Sequence, residues 1–296
     1  MHCSIQGSRS VRAASAVIRH LRDEPFAAVG GAIYVVILVM ALFASQLAPY
    51  DPRAILREGR RIARYLPISR DHWLGTTAGG HDVLSQLIFG SRSALVVGLT
   101  AALAVVAIGT LLGLFAGYLG GWVDKLVTRI ADIALGLPFL PFMLVLAALT
   151  APGKRVVIAT VALLLWPNTA RVIRSQVLSL RERAWVEAAR VTGCSTGRIM
   201  FVHVLPQVLP LAVLYGSVAI GWAILAEAAA SFLGFGDPDG ISWGVMLQDA
   251  YANQALGRGA WNWFTPPGAA IVLMVLAGFL ISRGSEKLLF PKLADQ

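Results

Sequence analysis

The sequence has little charge and almost no cysteine. Only 14% of its 296 residues are Asp, Glu, Lys or Arg, and 57% are apolar; soluble domains carry about a quarter charged residues. Cys3 and Cys194 lie far apart and follow no metal-ligand spacing, which gives no support for a disulfide framework or a metal site. This composition excludes a disordered chain, a disulfide-rich secreted scaffold and most soluble enzymes. It is typical of a polytopic membrane protein.

The sequence patterns of nucleotide binding and zinc catalysis are missing too. No GxxxxGK[ST] occurs, since Lys154 follows a glycine but precedes Arg155, and there is no HExxH. The strings GFGD, ending at Asp237, and Tyr50-Asp51 match those of intramembrane aspartyl proteases. That chemistry needs two carboxylates that share a site inside the membrane, whereas each Asp here follows the end of an apolar run. We therefore expect no catalytic residue, no metal and no cofactor on this chain.

Six apolar stretches predict an all-α protein with about six transmembrane helices, because about 20 apolar residues cross a bilayer. The spans are predicted at 26–47, 94–118, 128–150, from 156 through Asn168 and Thr169, 206–233 and 266–281. Prolines predict a kink in the third span. Glycines in the second allow close approach of another helix; they are Gly98, Gly109, Gly113 and Gly117.

Basic residues predict a cytoplasmic N-terminus. With that orientation the inner segments are 1–25, 119–129, 171–205 and 282–296, and they hold 15 of the 25 Lys and Arg residues. Seven of the ten outer ones lie in 51–92, a stretch too irregular for assignment. The net charge of +9 comes from basic residues that lie largely between apolar runs. In these positions they indicate contact with an anionic membrane face rather than with nucleic acid.

Three parts follow along the chain. Residues 1–25 form a cytoplasmic N-terminal segment, and 26–92 contain the first transmembrane helix and an extracytoplasmic segment. Residues 93–296 contain five transmembrane helices and a polar cytoplasmic loop at about 175–205.

Within that loop, residues 181–206 predict a helix, a turn and a second helix. Arg183 and Glu187 are spaced to pair on the first helix, and Gly193 suits the left-handed position that ends it. Ser195 or Thr196 can cap the second helix, and Pro206 marks the start of the fifth span.

The first of these helices has a shallow surface of small residues, Ala184, Ala188 and Ala189. Such a surface lets a groove on another protein close over the helix. The alternative is a solvated cytoplasmic hairpin without a partner.

Two ionisable residues lie inside predicted spans, where an uncompensated charge is costly. Glu227 either lines a solute pathway or makes a structural interhelical hydrogen bond. Asp132 either faces a pathway or pairs with Arg129 or Lys125 near the membrane surface. An aromatic cluster predicts an outer interface belt or a contact surface for another protein; it comprises Trp243, Tyr251, Trp261, Trp263 and Phe264.

The loop also resembles a known motif. Glu187-Ala188-Ala189, Gly193 and Leu205-Pro206 match the EAA loop of binding-protein-dependent ABC import permeases, and His203 stands where the general pattern has Ile. A His there is similar to the dipeptide, oligopeptide and nickel branch. Further stretches resemble the second (C-type) permease of that branch, namely 47–52, 72–76, 82–90, 231–236 and 242–244. Thr77 and His81 depart from the pattern, which often has Asp and Arg there.

The resemblance implies a type I importer permease fold in the inner or plasma membrane, with both termini in the cytoplasm. It implies four kinds of partner: a homologous second permease, two cytoplasmic ABC ATPase subunits, an extracytoplasmic solute-binding protein and membrane lipid. ATP and Mg would bind the ATPases. The EAA residues would form the coupling helix in an ATPase cleft. Expected cargo is dipeptides or oligopeptides, with nickel, haem or another small solute as alternatives. A secondary transporter or channel is a further alternative, but it would need inverted repeats that the sequence lacks.

Overall fold

The computed structural model describes residues 24–150, 152–237 and 240–289 and is almost entirely helical. The predicted N-terminal segment 1–25 therefore lies almost wholly outside the described residues. The longest helices are α1 (Pro25–Leu42), α3 (Val83–Leu119), α6 (Lys154–Arg181), α9 (Leu205–Phe232) and α11 (Trp261–Leu289). The shorter elements are α2 (Ala44–Leu47), β1 (Arg57–Glu58), β2 (Arg61–Ile62), α4 (Gly121–Gly136), α5 (Phe139–Leu149), α7 (Ala184–Val191), α8 (Thr196–Arg198) and α10 (Trp243–Ala252).

Within the described residues, five helices are long and apolar enough to cross a bilayer. Helices α4 and α5 add a sixth crossing if they are one span, but they meet at an angle of 87°. The predicted kink of the third span is therefore a sharp break, at Leu137 and Pro138. Proline has no amide hydrogen to donate, so the helix ends before it.

The long helices run between two ends of the bundle, and α3 and α6 run parallel to each other. We call the end that carries residues 119–121 and 182–196 the inner end, following the predicted orientation. The end that carries residues 48–82 and 233–260 is the outer end. Two contacts mark these ends: Arg181 donates to the Gly117 carbonyl, and Trp243 Nε1 donates to the Leu87 carbonyl.

Helices α3 and α6 pack with their backbones close together. A Cβ at Gly113 would lie 2.6 Å from the Ala170 carbonyl oxygen, and one at Gly117 would lie 2.8 Å from that of Arg174. Gly109 meets Trp166 and Thr169 in the same way. The predicted role of these glycines is confirmed. Of the two polar residues predicted inside the fourth span, Thr169 is buried and Asn168 is exposed on this chain.

Helix α3 begins eleven residues before the predicted second span, because the Asp82 carboxylate accepts the Ser85 backbone amide at 2.8 Å and caps it. The predicted division at residues 92 and 93 thus falls inside a helix. The first span also differs: α1 ends at Leu42, and the short α2 follows after Phe43.

The predicted start of the fifth span at Pro206 agrees within one residue with the start of α9, although the chain is helical from Thr196 onward. A π-helical turn, Ile199–Val204, joins α8 to α9. A proline nitrogen has no hydrogen, and its ring crowds the carbonyl four residues earlier. The wider π turn just before Pro206 accommodates both effects.

Candidate functional site

The small-residue helix at the inner end is α7, which ends in the predicted left-handed glycine. Gly193 has φ +80°, and its amide donates to the Arg190 carbonyl at 2.9 Å. The Cys194 amide donates to the Ala189 carbonyl at 3.0 Å, which completes a Schellman motif. Ser195 caps α8 by accepting from the Arg198 amide. These two predictions are confirmed.

The two faces of α7 differ sharply. Val186 is fully buried, and Ala189 is half-buried against the same core. The prediction that Ala189 shares the exposed surface of Ala184 and Ala188 is therefore wrong, because five residues from Ala184 bring it round to the buried face. The opposite face is a continuous exposed stripe at helical spacing, formed by Ala184, Glu187, Ala188 and Val191. Val191 is 81% exposed. An apolar side chain so open beside two alanines is the kind of surface that a groove on another protein covers.

The buried face of α7 joins the ends of three long helices. Val186 lies in one cluster with Ile173 and Val177 of α6 and with Met200 of the π turn. Leu114 of α3 belongs to the same cluster. Packed side chains therefore connect α7 to α3, α6 and α9.

Two aromatic contacts hold α7 from its sides, and neither was predicted. The Trp185 and His203 rings lie 6.3 Å apart, edge to face, and the Arg190 guanidinium lies 5.7 Å from the centre of the Tyr118 ring. His203 is exposed to solvent, and its ring lies against Trp185 of α7. Leu205 is half-buried and Pro206 exposed, both in the first turn of α9.

The predicted pairing of Arg183 with Glu187 is wrong. Arg183 lies before the first turn of α7, and Glu187 Oε2 lies 4.0 Å from Arg190 Nη1 instead. The helix starts three residues later than predicted because α6 continues to Arg181. Glu187 is left largely exposed on the stripe.

Helix α4 is tied to α6 by two ion pairs. Asp132 Oδ1 accepts from Arg171 Nη2 at 2.7 Å, so the predicted pairing with Arg129 or Lys125 is wrong. Those partners lie on α4 itself, and no local sequence pattern indicates that α6 runs alongside. One to two turns nearer the inner end, Asp124 binds Arg174 through both carboxylate oxygens.

Glu227 is packed inside this chain near the outer end, with 4% of its surface exposed. Its Oε1 accepts from Ser231 Oγ at 2.7 Å in the same helix, and Ser242 Oγ of the α10 cap donates to Ser231 Oγ at 3.4 Å. Through Ser231, this carboxyl is connected to the cap of α10, as expected for a structural hydrogen bond. That Glu227 lines a solute pathway stays a prediction.

An open cavity of about 830 Å³ lies at the outer end, lined by α2, the start of α3 and the loop after α9. Asp51 and Asp237 both line it. Asp51 accepts the Arg53 amide at 2.9 Å, and Asp237 lies 3.5 Å from Lys154 Nζ. Asp51 and Asp237 therefore each have a donor of their own, whereas the two carboxyl groups of a protease pair share one proton.

Asp249 of α10 lies beside this cavity and is exposed to solvent on one side. Partial desolvation raises the pKa of its carboxyl above the ordinary value, and the nearby His81 opposes that shift. Within the described residues, no group of three or more His, Cys, Asp or Glu could hold a metal ion.

The predicted aromatic belt is wrong for two of its members. Trp243 and Trp263 are buried in the core at the outer end, while Tyr251 and Trp261 are 68% and 61% exposed. Gly90 leaves room for the Trp243 ring, since a Cβ at Gly90 would lie 2.7 Å from Trp243 Cδ1.

Comparison with protein families gives two matches. Residues 109–295 match the family described as binding-protein-dependent transport system inner membrane component. Residues 14–67 match the N-terminal TM domain of oligopeptide transport permease C.

Curated relatives match over nearly the whole chain. The dipeptide transport system permease protein DppC of Alkalihalophilus pseudofirmus is 34% identical, over 93% of this chain and 88% of the relative. The glutathione transport system permease protein GsiD of Pectobacterium atrosepticum is 34% identical, over 93% and 89%. The oligopeptide transport system permease protein OppC of Bacillus subtilis is 32% identical, over 92% and 87%.

A solved structure of the MetNI methionine ABC transporter, in inward-facing conformations, resembles this fold with a TM-score of 0.50 and 21% sequence identity. The match covers 70% of this chain and 95% of the other.

Proposed function

Because the chain belongs to the family of binding-protein-dependent transport system inner membrane components, we propose that it forms half of the translocation pathway of an ATP-driven importer of dipeptides or oligopeptides. The family is one of transport subunits, and this multi-pass membrane chain is one of them. The peptide cargo is supported by the names of the relatives. Glutathione, carried by one relative, is itself a small peptide. Nickel, haem and other small solutes are the alternatives.

The proposed assembly has four kinds of partner. A homologous second permease completes the pathway, two cytoplasmic ATPase subunits bind ATP and Mg, an extracytoplasmic solute-binding protein delivers the peptide, and membrane lipid surrounds the helices. This chain binds no cofactor or nucleic acid of its own. It lies in the inner or plasma membrane with both termini in the cytoplasm.

The exposed stripe of α7 is the observation that carries the proposal. Small and apolar residues face outward at helical spacing, while Val186 on the opposite face is buried among the ends of α3, α6 and α9. A groove of an ATPase subunit that closes over the stripe holds the helix without steric conflict. The EAA residues Glu187, Ala188 and Ala189 all lie on this helix.

The mechanism follows from how α7 is joined to the membrane helices. When ATP draws the two ATPase subunits together, each moves the coupling helix docked in it. Because α7 is packed against α6 and the π turn, its movement tilts α6 and α9 as rigid bodies. The pathway between the two permeases then opens to the other side, which is alternating access.

Substituting Ala188 tests this proposal. Ala188→Trp places a bulky ring on the stripe, so the assembled complex should lose ATP-driven peptide uptake by at least about tenfold. Ala188→Ser keeps the side chain small and is the matched control, with uptake close to that of the wild type. Both are measured in proteoliposomes that contain the whole complex with its binding protein. Normal uptake by Ala188→Trp would contradict the coupling role of α7.

A further inference from the structure

A cluster of arginines stands at the outer end, where positive charge is otherwise disfavoured. Residues 57–64 comprise four arginines and one glutamate, and we call this stretch of β1, β2 and their flanks the arginine hairpin. Its cations are Arg57, Arg60, Arg61 and Arg64. All four are exposed, and none forms an ion pair within the described part of the chain.

The arginine hairpin is rigidly attached to the outer end. Thr76 Oγ1 donates to the Ala63 carbonyl at 2.5 Å, and a Cβ at Gly80 would lie 2.5 Å from the Ile62 side chain. Just beyond the hairpin, the Tyr65 hydroxyl donates to the Asn253 carbonyl at 3.2 Å, and the Tyr65 ring packs on Trp263. Its arginines are thus held on an ordered backbone before anything binds, which reduces the entropy lost on binding.

The distance of the arginine hairpin from the membrane indicates whether its partner is a protein or the lipid headgroups. Helix α3 has 37 residues and rises about 55 Å, against about 30 Å of hydrocarbon. Its span is predicted to begin at Ala94, so with the helix along the membrane normal its first eleven residues would rise about 16 Å beyond the hydrocarbon. Gly80, against which Ile62 packs, comes just before that projecting end. The headgroup layer is only about 5–8 Å thick on each side, so the base of the hairpin lies above the lipid phosphates.

From this placement we propose that the arginine hairpin is the docking surface for an acidic face of the extracytoplasmic solute-binding protein. Arginine binds carboxylates through two parallel hydrogen bonds and is enriched in protein interfaces. Ile68 and Trp73 lie farther along the same outer segment and are 65% and 68% exposed. They would supply apolar contacts beside the charged ones. The proposal rests on the proposed function, because it requires an importer that receives its solute from a binding protein.

The test measures binding of the solute-binding protein encoded beside this permease. The complete transporter is placed in nanodiscs of phosphatidylcholine, which carry no net lipid charge, and the dissociation constant is measured at 50 and 300 mM NaCl. Arg60→Glu should raise Kd on the order of fivefold at the lower salt, and the double variant Arg60→Glu/Arg61→Glu by tenfold or more. The difference should shrink at the higher salt, because salt screens exposed charges.

Two variants serve as controls. Arg155→Glu reverses one exposed charge at the start of α6, away from the hairpin, and should leave Kd within about twofold. Arg60→Lys/Arg61→Lys keeps the charge but loses the paired hydrogen bonds, so its Kd should lie between those of the wild type and Arg60→Glu/Arg61→Glu, which separates loss of charge from misfolding.

Three results would overturn the inference: hairpin variants that bind like the wild type, equal losses with Arg155→Glu, or losses that appear only when phosphatidylglycerol is added, since these would indicate lipid contact. Peptide uptake by the wild-type complex is measured in parallel. If the wild type neither binds the protein nor takes up peptide, the proposed function fails along with the inference. If it does both while the hairpin variants are unaffected, only the inference fails.

Discussion

The inner helix α7 and the outer arginine hairpin are both small projections from the same bundle, and their exposed surfaces differ in kind. The stripe on α7 presents two alanines and Val191 with a single exposed carboxylate, whereas the hairpin presents four cations around one glutamate. A groove that grips a helix through every transport cycle needs shape complementarity from small side chains. A partner that binds only briefly is better recognised through charges, because electrostatic attraction speeds association. That attraction weakens as salt is added.

The attachment of the two projections differs as well. Helix α7 is held mainly by apolar packing of Val186 among three long helices. The hairpin is held mainly by hydrogen bonds, such as the one from Thr76 to Ala63. We therefore expect changes beneath α7 to reach the whole bundle and changes around the hairpin to remain local.

The largest effect should come from the packing that carries α7. Gly113→Leu drives a side chain into the Ala170 backbone of α6, where even a Cβ would lie 2.6 Å from the carbonyl oxygen. The two helices must separate, so the variant should fail to assemble, as seen by size-exclusion chromatography of the complex. Gly136→Leu is the matched control, because nothing lies within 4 Å of a Cβ there. Normal assembly of Gly113→Leu would contradict the close packing of α3 and α6.

A smaller effect separates the two faces of α7. Val186→Ala removes two buried methyl groups and should lower the free energy of unfolding by about 2 kcal/mol. Val191→Ala, on the 81% exposed side, should change it by less than about 0.5 kcal/mol.

Binding of the ATPase subunits distinguishes these valines further. Val191→Ala should weaken ATPase binding to the purified permease although stability is unchanged. Equal stability losses in both variants, measured by thermal unfolding in detergent, would mean that the stripe is not an exposed surface.

The smallest effect concerns the outer end. The pKa of Asp249 is raised in the folded protein, so the folded state binds its proton more tightly than the unfolded state does. That stabilising contribution is complete below the ordinary Asp pKa, near 4, and is lost as the pH rises through the folded pKa. Asp249→Asn should therefore raise Tm slightly at pH 7, and the gain should fade as the pH is lowered toward 4. A gain that grows as the pH falls would contradict the sign of the shift.

Sequence patterns predicted the inner region well and the outer region poorly, for a physical reason. The Schellman turn at Gly193 and the cap at Ser195 depend on residues within a few positions of each other. The glycine spacing of α3 is likewise local. Apolar runs also predicted the spans, although Asp82 starts α3 earlier than its hydropathy indicates.

Apart from two local predictions for α7, the pairing of Arg183 with Glu187 and the face of Ala189, the failures involve partners far apart in sequence. Asp132 pairs with Arg171 across 39 positions, and Tyr65 bonds to Asn253 across 188. Tryptophans such as Trp243 and Trp263 are typical of an interface belt. Both are buried here, because the fold packs segments that are distant in sequence around them. The Trp185–His203 contact could have been suspected, since both residues flank the EAA motif, but its geometry depends on the π turn.

Accessibility of position 188 tests the central claim most directly. Ala188→Cys is introduced together with Cys3→Ser and Cys194→Ser, and a membrane-impermeant maleimide is applied to inside-out and right-side-out vesicles. If α7 is the cytoplasmic coupling helix, the thiol is labelled only in inside-out vesicles and becomes protected once the ATPase subunits assemble. Labelling from the outer face, or equal labelling with and without the ATPases, would contradict the account.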